Sequence, residues 1–197
     1  MILESGAESF TTSDMLDLAE LVGDGWTAAA GLDWSAPAGD LEWSCLRTAD
    51  HAVDCVWAPA MFLASRNQDT YPMLFDPMLR DGATPEKLVL SLGTAARTLA
   101  AVINDADDDV RAIIFGRPDA TIAAPRDFAP RGAMELILHA HDVSLGLGIE
   151  FEPPADMCHR LREHTRPWPM WTLVWNEPGS TDDPWADLLT ASGRSRR

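Results

Sequence analysis

A chain of 197 residues, 46% of them hydrophobic, can bury one sizeable core, so a single domain with an appendage is expected and two full domains are not required. Its net charge of −16 favours solubility and repels phosphate backbones, which argues against nucleic acid as a general partner. The three cysteines, Cys45, Cys55 and Cys158, are odd in number and lack Cys-x-x-Cys spacing, so neither a disulfide framework nor a zinc ribbon is expected.

A reducing cytoplasm suits those thiols, and cytoplasmic localisation is the expectation. The N-terminal MILESGAESF has no basic region and no apolar run of signal length, and no uncharged apolar stretch is long enough to span a bilayer, so no membrane partner is expected.

In chain order, Thr12 or Ser13 offers a cap for a first helix, with Asp14 in its first turn where a carboxylate suits the positive end of the dipole. Met15, Leu18, Val22 and Trp26 follow at helical spacing, while Gly23 and Gly25 weaken the second half. Residues 31–43 mix Gly, Pro and Asp in a pattern that fits neither period and predict a loop. Ser44 offers the cap of a second helix running to about Arg66, with Leu46, Ala49, Val53, Trp57, Ala60 and Ala64 along one stripe. His51 lies about 140° from Leu46, on a second apolar strip with Cys55, Ala58 and Phe62. Pro59 predicts a kink or a break.

Asn67 to Gly82 is a connector whose Tyr71, Met73, Leu74, Phe75 and Met78 can cover the core. Thr84-Pro85-Glu86 starts a third helix with a capping hydroxyl, proline at the first position and an early carboxylate. Leu88, Leu92, Ala95, Leu99 and Val102 carry it to the acidic run at Asp105–Asp109. Residues 110–130 give a short apolar piece and an irregular loop. Pro130 then fits the first turn of a fourth helix, Arg131 to Gly148, with glycines near its end.

A shorter helix follows Pro153-Pro154, with Met157, Cys158 and Leu161 on one side; its His159 and His164 lie among charges and are expected at the surface. The tail from Arg166 carries Trp168, Trp171, Trp175 and Trp185 among prolines and is expected as a strap over the core, with a lid or a dimer contact as alternatives. The fold class is therefore all-α: a four-helix bundle over residues 1–150, with residues 151–197 adding a short helix and a Trp/Pro-rich strap to the same domain.

On the fourth helix Met134, Ile137, Leu138 and Leu145 form the apolar stripe, and Glu135, His139 and Asp142 a neighbouring one. Glu135 and His139 are four residues apart, hence about 40° apart around the axis and one turn along it, so both side chains can reach one point. Such a pair is more often solvated than functional. It gains weight from His51, on another helix in apolar company, because three ligands converging from facing helices leave a metal one open position. A buried histidine taken alone is more often a satisfied core residue than a ligand. His141, about 20° from Met134, belongs to the apolar stripe and is expected to pack or hydrogen-bond in the core. Asp142, three residues after His139, is placed to orient a ligating imidazole. Cys55, one turn after His51, would close the site and make any metal structural if it joined as a fourth ligand.

The sequences EWSCLRTADHAVD around His51 and RGAMELILHAHDVSLGLG around Glu135 and His139 resemble the DinB-like superfamily, and within it the metal-binding N-terminal domain of mycothiol-dependent maleylpyruvate isomerases. The resemblance covers roughly Thr12 to Gly148, and the ending PWADLLTASGR is similar to small actinobacterial relatives. It implies a DinB-like four-helix bundle holding a divalent metal through His51, Glu135 and His139. It departs from the isomerases in having only about fifty residues after Gly148 where they carry a further domain, and in placing His141 where relatives often carry an aromatic residue.

Zinc suits an N,N,O set, with nickel, iron or manganese as alternatives. The function implied is a thiol-dependent transferase or isomerase acting on a small molecule, with mycothiol or a similar low-molecular-weight thiol as cosubstrate, in a monomer or homodimer. The alternatives are a non-catalytic metal-binding or scaffold protein, and a metal-dependent hydrolase or lyase.

Overall fold

The computed structural model describes residues 1–4, 6, 9–72, 82–117 and 119–196. Met73, Leu74, Phe75 and Met78, expected to cover the core, lie outside the described residues. The described part is mostly helical, with seven α-helices and one two-stranded sheet.

Helix α1 spans Thr12–Ala28 and is capped by Thr11. The cap falls one residue earlier than expected because Thr11 stands three positions before Asp14. Thr11 Oγ1 accepts from the Asp14 amide and Asp14 Oδ2 accepts from the Thr11 amide at 2.8 Å, a closed reciprocal pair. Gly23 and Gly25 do not end the helix, since Met15, Leu18, Val22 and Trp26 are all essentially buried. Burying each such side chain contributes about 1.5–3 kcal/mol, more than the roughly 1 kcal/mol a glycine costs.

The loop after α1 is held by Trp34 Nε1 donating to the Ala29 carbonyl at 3.0 Å and by a bridge between Pro37 and Ser44. Ser44 caps α2, Cys45–Ser65, by accepting from the Arg47 amide. Pro59 neither breaks α2 nor ends it. It removes the donor that would reach the Cys55 carbonyl one turn back. That carbonyl lies where α2 and α4 approach closely: a Cβ added to Gly132 would sit 3.6 Å from both the Cys55 oxygen and Val56 Cα. Thr84 caps α3, Pro85–Asp105, as its Thr-Pro-Glu start predicts.

The segment read as a short apolar piece and a loop forms a hairpin. β1, Ala112–Phe115, pairs antiparallel with β2, Thr121–Ala123, and Ile2 near the N-terminus bridges Ile122. So short an apolar run has no period to distinguish strand from helix, and its partner strand is three residues long. A 3-10 turn at Pro125–Asp127 then leads directly into α4, Phe128–Leu147, which begins three residues before the expected Arg131 and ends at Gly148 with φ 67°.

Helix α2 packs against α3 and α4, and α1 against α3 and α4, so the four long helices enclose one core. The tail is more built than a strap. After the expected short helix, α5 (Ala155–Thr165), it forms α6 (Met170–Leu173) and α7 (Pro184–Ala191), and α5 packs against both α4 and α7. Trp168, Trp171 and Trp185 are buried in the shared core. Arg162 of α5 donates to the Asp187 carboxylate of α7, both side chains being buried.

His164 overturns the expectation of a surface residue. It is 1% exposed, its Nδ1 accepts from the Phe10 amide at 3.1 Å, and its Nε2 donates to Asp127 Oδ1 at 3.0 Å. The charged neighbours that suggested a surface face, Arg162 and Glu163, are themselves taken up in the tail. His159 is exposed, as expected. Among the described residues no helix is long and apolar enough to cross a membrane.

Candidate metal centre

Because α2 and α4 face each other at close range, the second strip of α2 meets the polar stripe of α4. The His51 and His139 rings lie edge to face with centroids 5.0 Å apart. Glu135 Oε2 is 3.7 Å from His139 Nε2, while Glu135 Oε1 accepts from Arg131 at 3.1 Å. The three residues singled out from the sequence are thus neighbours in space. His139 and Glu135 keep 13% and 16% side-chain exposure, so the cluster is dry without being sealed.

Around it are groups that spacing alone does not find. Trp43, from the loop before α2, stands edge-on to His51 at 5.3 Å and carries the Arg47 guanidinium on its ring at 5.1 Å. Arg131 lies over the Phe115 ring at 5.2 Å, and its Nε is buried with no hydrogen-bond partner among the described residues. The Arg131–Glu135 pair sits at i, i+4 and was open to sequence reasoning. Trp43 and Phe115 reach the site only through tertiary packing.

Burial pulls the His51 imidazole below its usual pKa, the nearby His139 adds to this, and Glu135 opposes it. Asp142 is 4% exposed and accepts from His139 Nδ1 at 3.1 Å. Burial works to raise the Asp142 carboxyl, but hydrogen bonds from His139 and Arg194 outweigh it and hold the group below the usual carboxylate range. Since an ionised carboxylate only accepts, His139 Nδ1 carries a proton toward Asp142, and Nε2 faces the Glu135 side. His141 is buried, bonds the Ser195 carbonyl through Nε2 at 3.1 Å, and stands edge-on to Trp185. It takes no part in the cluster, in line with its place on the apolar stripe.

No family model, curated protein or solved structure matches the chain.

The donor chemistry suits a divalent cation. Two N or O ligands on one tetrahedral zinc, each about 2.0–2.1 Å from it, sit roughly 3.3 Å from each other, and two imidazoles so bound bring their ring centres to roughly 5 Å. The observed 3.7 Å and 5.0 Å are close to both values. Yet among the described residues no group of three or more His, Cys, Asp and Glu side chains is in place to hold a metal as it stands. Two contacts compete with a cation. Arg131 holds one Glu135 oxygen, leaving Oε2 for another partner, and Cys55 Sγ lies 3.5 Å from His51 Nε2. Burial, reinforced by Glu135, pushes the Cys55 thiol far above its ordinary pKa. It is a protonated neighbour of His51 at neutral pH, with no charge to offer a metal until displaced.

A cavity of about 570 Å³ opens beside the cluster, lined in part by Tyr71, Phe115, Arg131, Glu135, Met170 and Trp175. Glu135 belongs to both the cluster and the cavity wall, so a molecule in the cavity reaches the cluster through that side chain. A space of this size accommodates a small organic molecule.

Proposed function

We propose that the protein is a divalent-metal-binding member of the DinB-like superfamily, acting as a thiol-dependent transferase or isomerase on a small molecule held in the cavity beside Glu135. The supporting observation is the approach of His51, Glu135 and His139 from two facing helices at spacings close to those of a shared cation. His51 and His139 would hold the metal through imidazole nitrogen and Glu135 through Oε2, with zinc the natural choice and nickel, iron or manganese the alternatives. A metal with one open position lowers the pKa of a bound thiol or water and so supplies a nucleophile near neutral pH. Asp142 holds the proton on His139 Nδ1. Arg131, Phe115 and Trp175 would orient the substrate and exclude water, and mycothiol or a similar thiol would be the cosubstrate in the cytoplasm.

Metal analysis of protein purified without a chelating tag tests this reading. The parent is expected to carry close to one divalent ion per chain. His51→Ala and Glu135→Ala should lose it while staying folded by circular dichroism. Cobalt-loaded Cys55→Ser protein then isolates the thiol step, because a sulfur-to-cobalt charge-transfer band appearing on titration must belong to the added thiol. Its absence would remove the thiol cosubstrate and leave a metal-dependent hydrolase or lyase.

A second reading, a binding or scaffold protein without a catalytic metal, draws on the Arg131–Glu135 ion pair, which already compensates the carboxylate. All three proteins folded and equally metal-free would decide for it.

A further inference from the structure

We infer that Arg194, on the C-terminal arm, is a positioning residue for His139 that acts through Asp142, so that the end of the chain sets how the proposed metal ligand is presented. The inference builds on the metal-site reading but can fail separately from it. Arg194 grips Asp142 with two donors, Nε to Oδ1 at 2.9 Å and Nη2 to Oδ2 at 2.7 Å. Oδ2 is also the atom that accepts from His139 Nδ1 at 3.1 Å.

A bidentate guanidinium fixes the plane of a carboxylate as well as its position. Here it fixes the direction in which Asp142 receives the His139 proton, and therefore the orientation of the ring and the side on which Nε2 lies. With Asp142 only 4% exposed, water is a poor substitute for the missing cation.

The arm is itself held in register with α4. The Ser195 carbonyl accepts from His141 Nε2 of α4 at 3.1 Å, while the Arg194 amide ties the arm to α7 by donating to the Leu189 carbonyl at 2.8 Å. Two successive residues of α4, His141 and Asp142, thus bind two successive residues of the arm. The adjacent Arg196 makes a contrast. Its partners Glu152 and Asp183 are exposed, and neither touches the cluster.

The histidine ring nitrogens of uniformly ¹⁵N-labelled, metal-free protein at a fixed pH give a readout independent of both metal and activity. The His139 Nδ1 proton in the parent is expected as a single hydrogen-bonded resonance, held on Asp142 and slow to exchange with water. In Arg194→Gln that resonance is expected to broaden or exchange with water, with cobalt affinity falling by about 10–100-fold, the usual effect of losing a partner that orients a metal ligand.

Arg194→Lys should restore only part of either readout, because one ammonium cannot hold both oxygens, and it carries the test if the glutamine variant is unstable. Arg196→Gln should leave both unchanged. An unaltered Nδ1 proton and parental cobalt affinity in Arg194→Gln, or an equal effect in Arg196→Gln, would overturn the inference. A parent that binds no cobalt while Arg194→Gln still loosens the Nδ1 proton would sink the metal reading and leave the positioning role standing.

Discussion

At the scale of single residues, the most consequential neighbour of the proposed ligands is Cys55. Its sulfur is close enough to His51 Nε2, at 3.5 Å, to be a hydrogen-bonded thiol or a fellow ligand, and the two alternatives have opposite consequences. As a thiol it leaves the metal an open position; as a thiolate it closes the site. Burial favours the neutral thiol, so Cys55→Ser is expected to bind cobalt as tightly as the parent, and parent protein without added thiol should show no sulfur-to-cobalt band. Such a band in the parent would make the metal structural.

Gly146 is a second position where one atom matters. A Cβ there would run into the Pro37 carbonyl and lie 3.0 Å from Ala38 Cα, both backbone atoms that cannot swing aside. Gly146→Ala is therefore expected to destabilise by about 1–3 kcal/mol, read as a lower urea midpoint with unchanged slope.

Among elements, the contact between α5 and the tail holds the later part of the chain in place. Arg162 and Asp187 are buried, and Asp187 also accepts from the Thr181 amide and hydroxyl. Arg162→Met leaves that carboxylate buried without its cation and is expected to cost about 3–5 kcal/mol. Arg162→Met with Asp187→Leu should recover much of the loss in the same denaturation experiment.

Glu163, beside this pair, is held down to about 2, first by Arg166 and then by Arg162. A carboxyl whose folded pKa is depressed adds stability in full above its unfolded pKa of about 4.3. That contribution disappears as pH falls from there through about 2. Glu163→Gln should accordingly melt below the parent at pH 7 and converge with it near pH 2. The partly exposed setting limits the difference to about 1 kcal/mol or less.

For the molecule as a whole, the tail contributes to the core instead of lying over it. Trp168, Trp171 and Trp185 are each 1% exposed or less, and the same core runs through α1 to α4. A strap or lid could be removed with little harm to the bundle. A chain ending at Thr165 would instead expose the surface these three rings cover. It is expected to bind a hydrophobic dye and to lose its cooperative melt. A truncated chain that melts cooperatively near the parental temperature would return the tail to the role of a lid. The same tail supplies Arg194, so removing it would also strip Asp142 of its cation.

Local chemistry carried much of the helical layout. Ser44 and Thr84 with their following residues declare helix starts, because a side-chain oxygen must satisfy amides that have no partner within the helix. The 3.6-residue period put Glu135 and His139 on one face and His141 on another, since that period is a property of the backbone alone. Whether His51 faced the other two depended on how closely α2 and α4 approach, which Gly132 permits and no periodicity encodes. The burial of His164 against Phe10 and Asp127 and the reach of Arg194 back to Asp142 join residues distant in the chain. Partners of that kind are chosen by which surfaces remain to be covered once the helices have packed, and only the tertiary structure decides them.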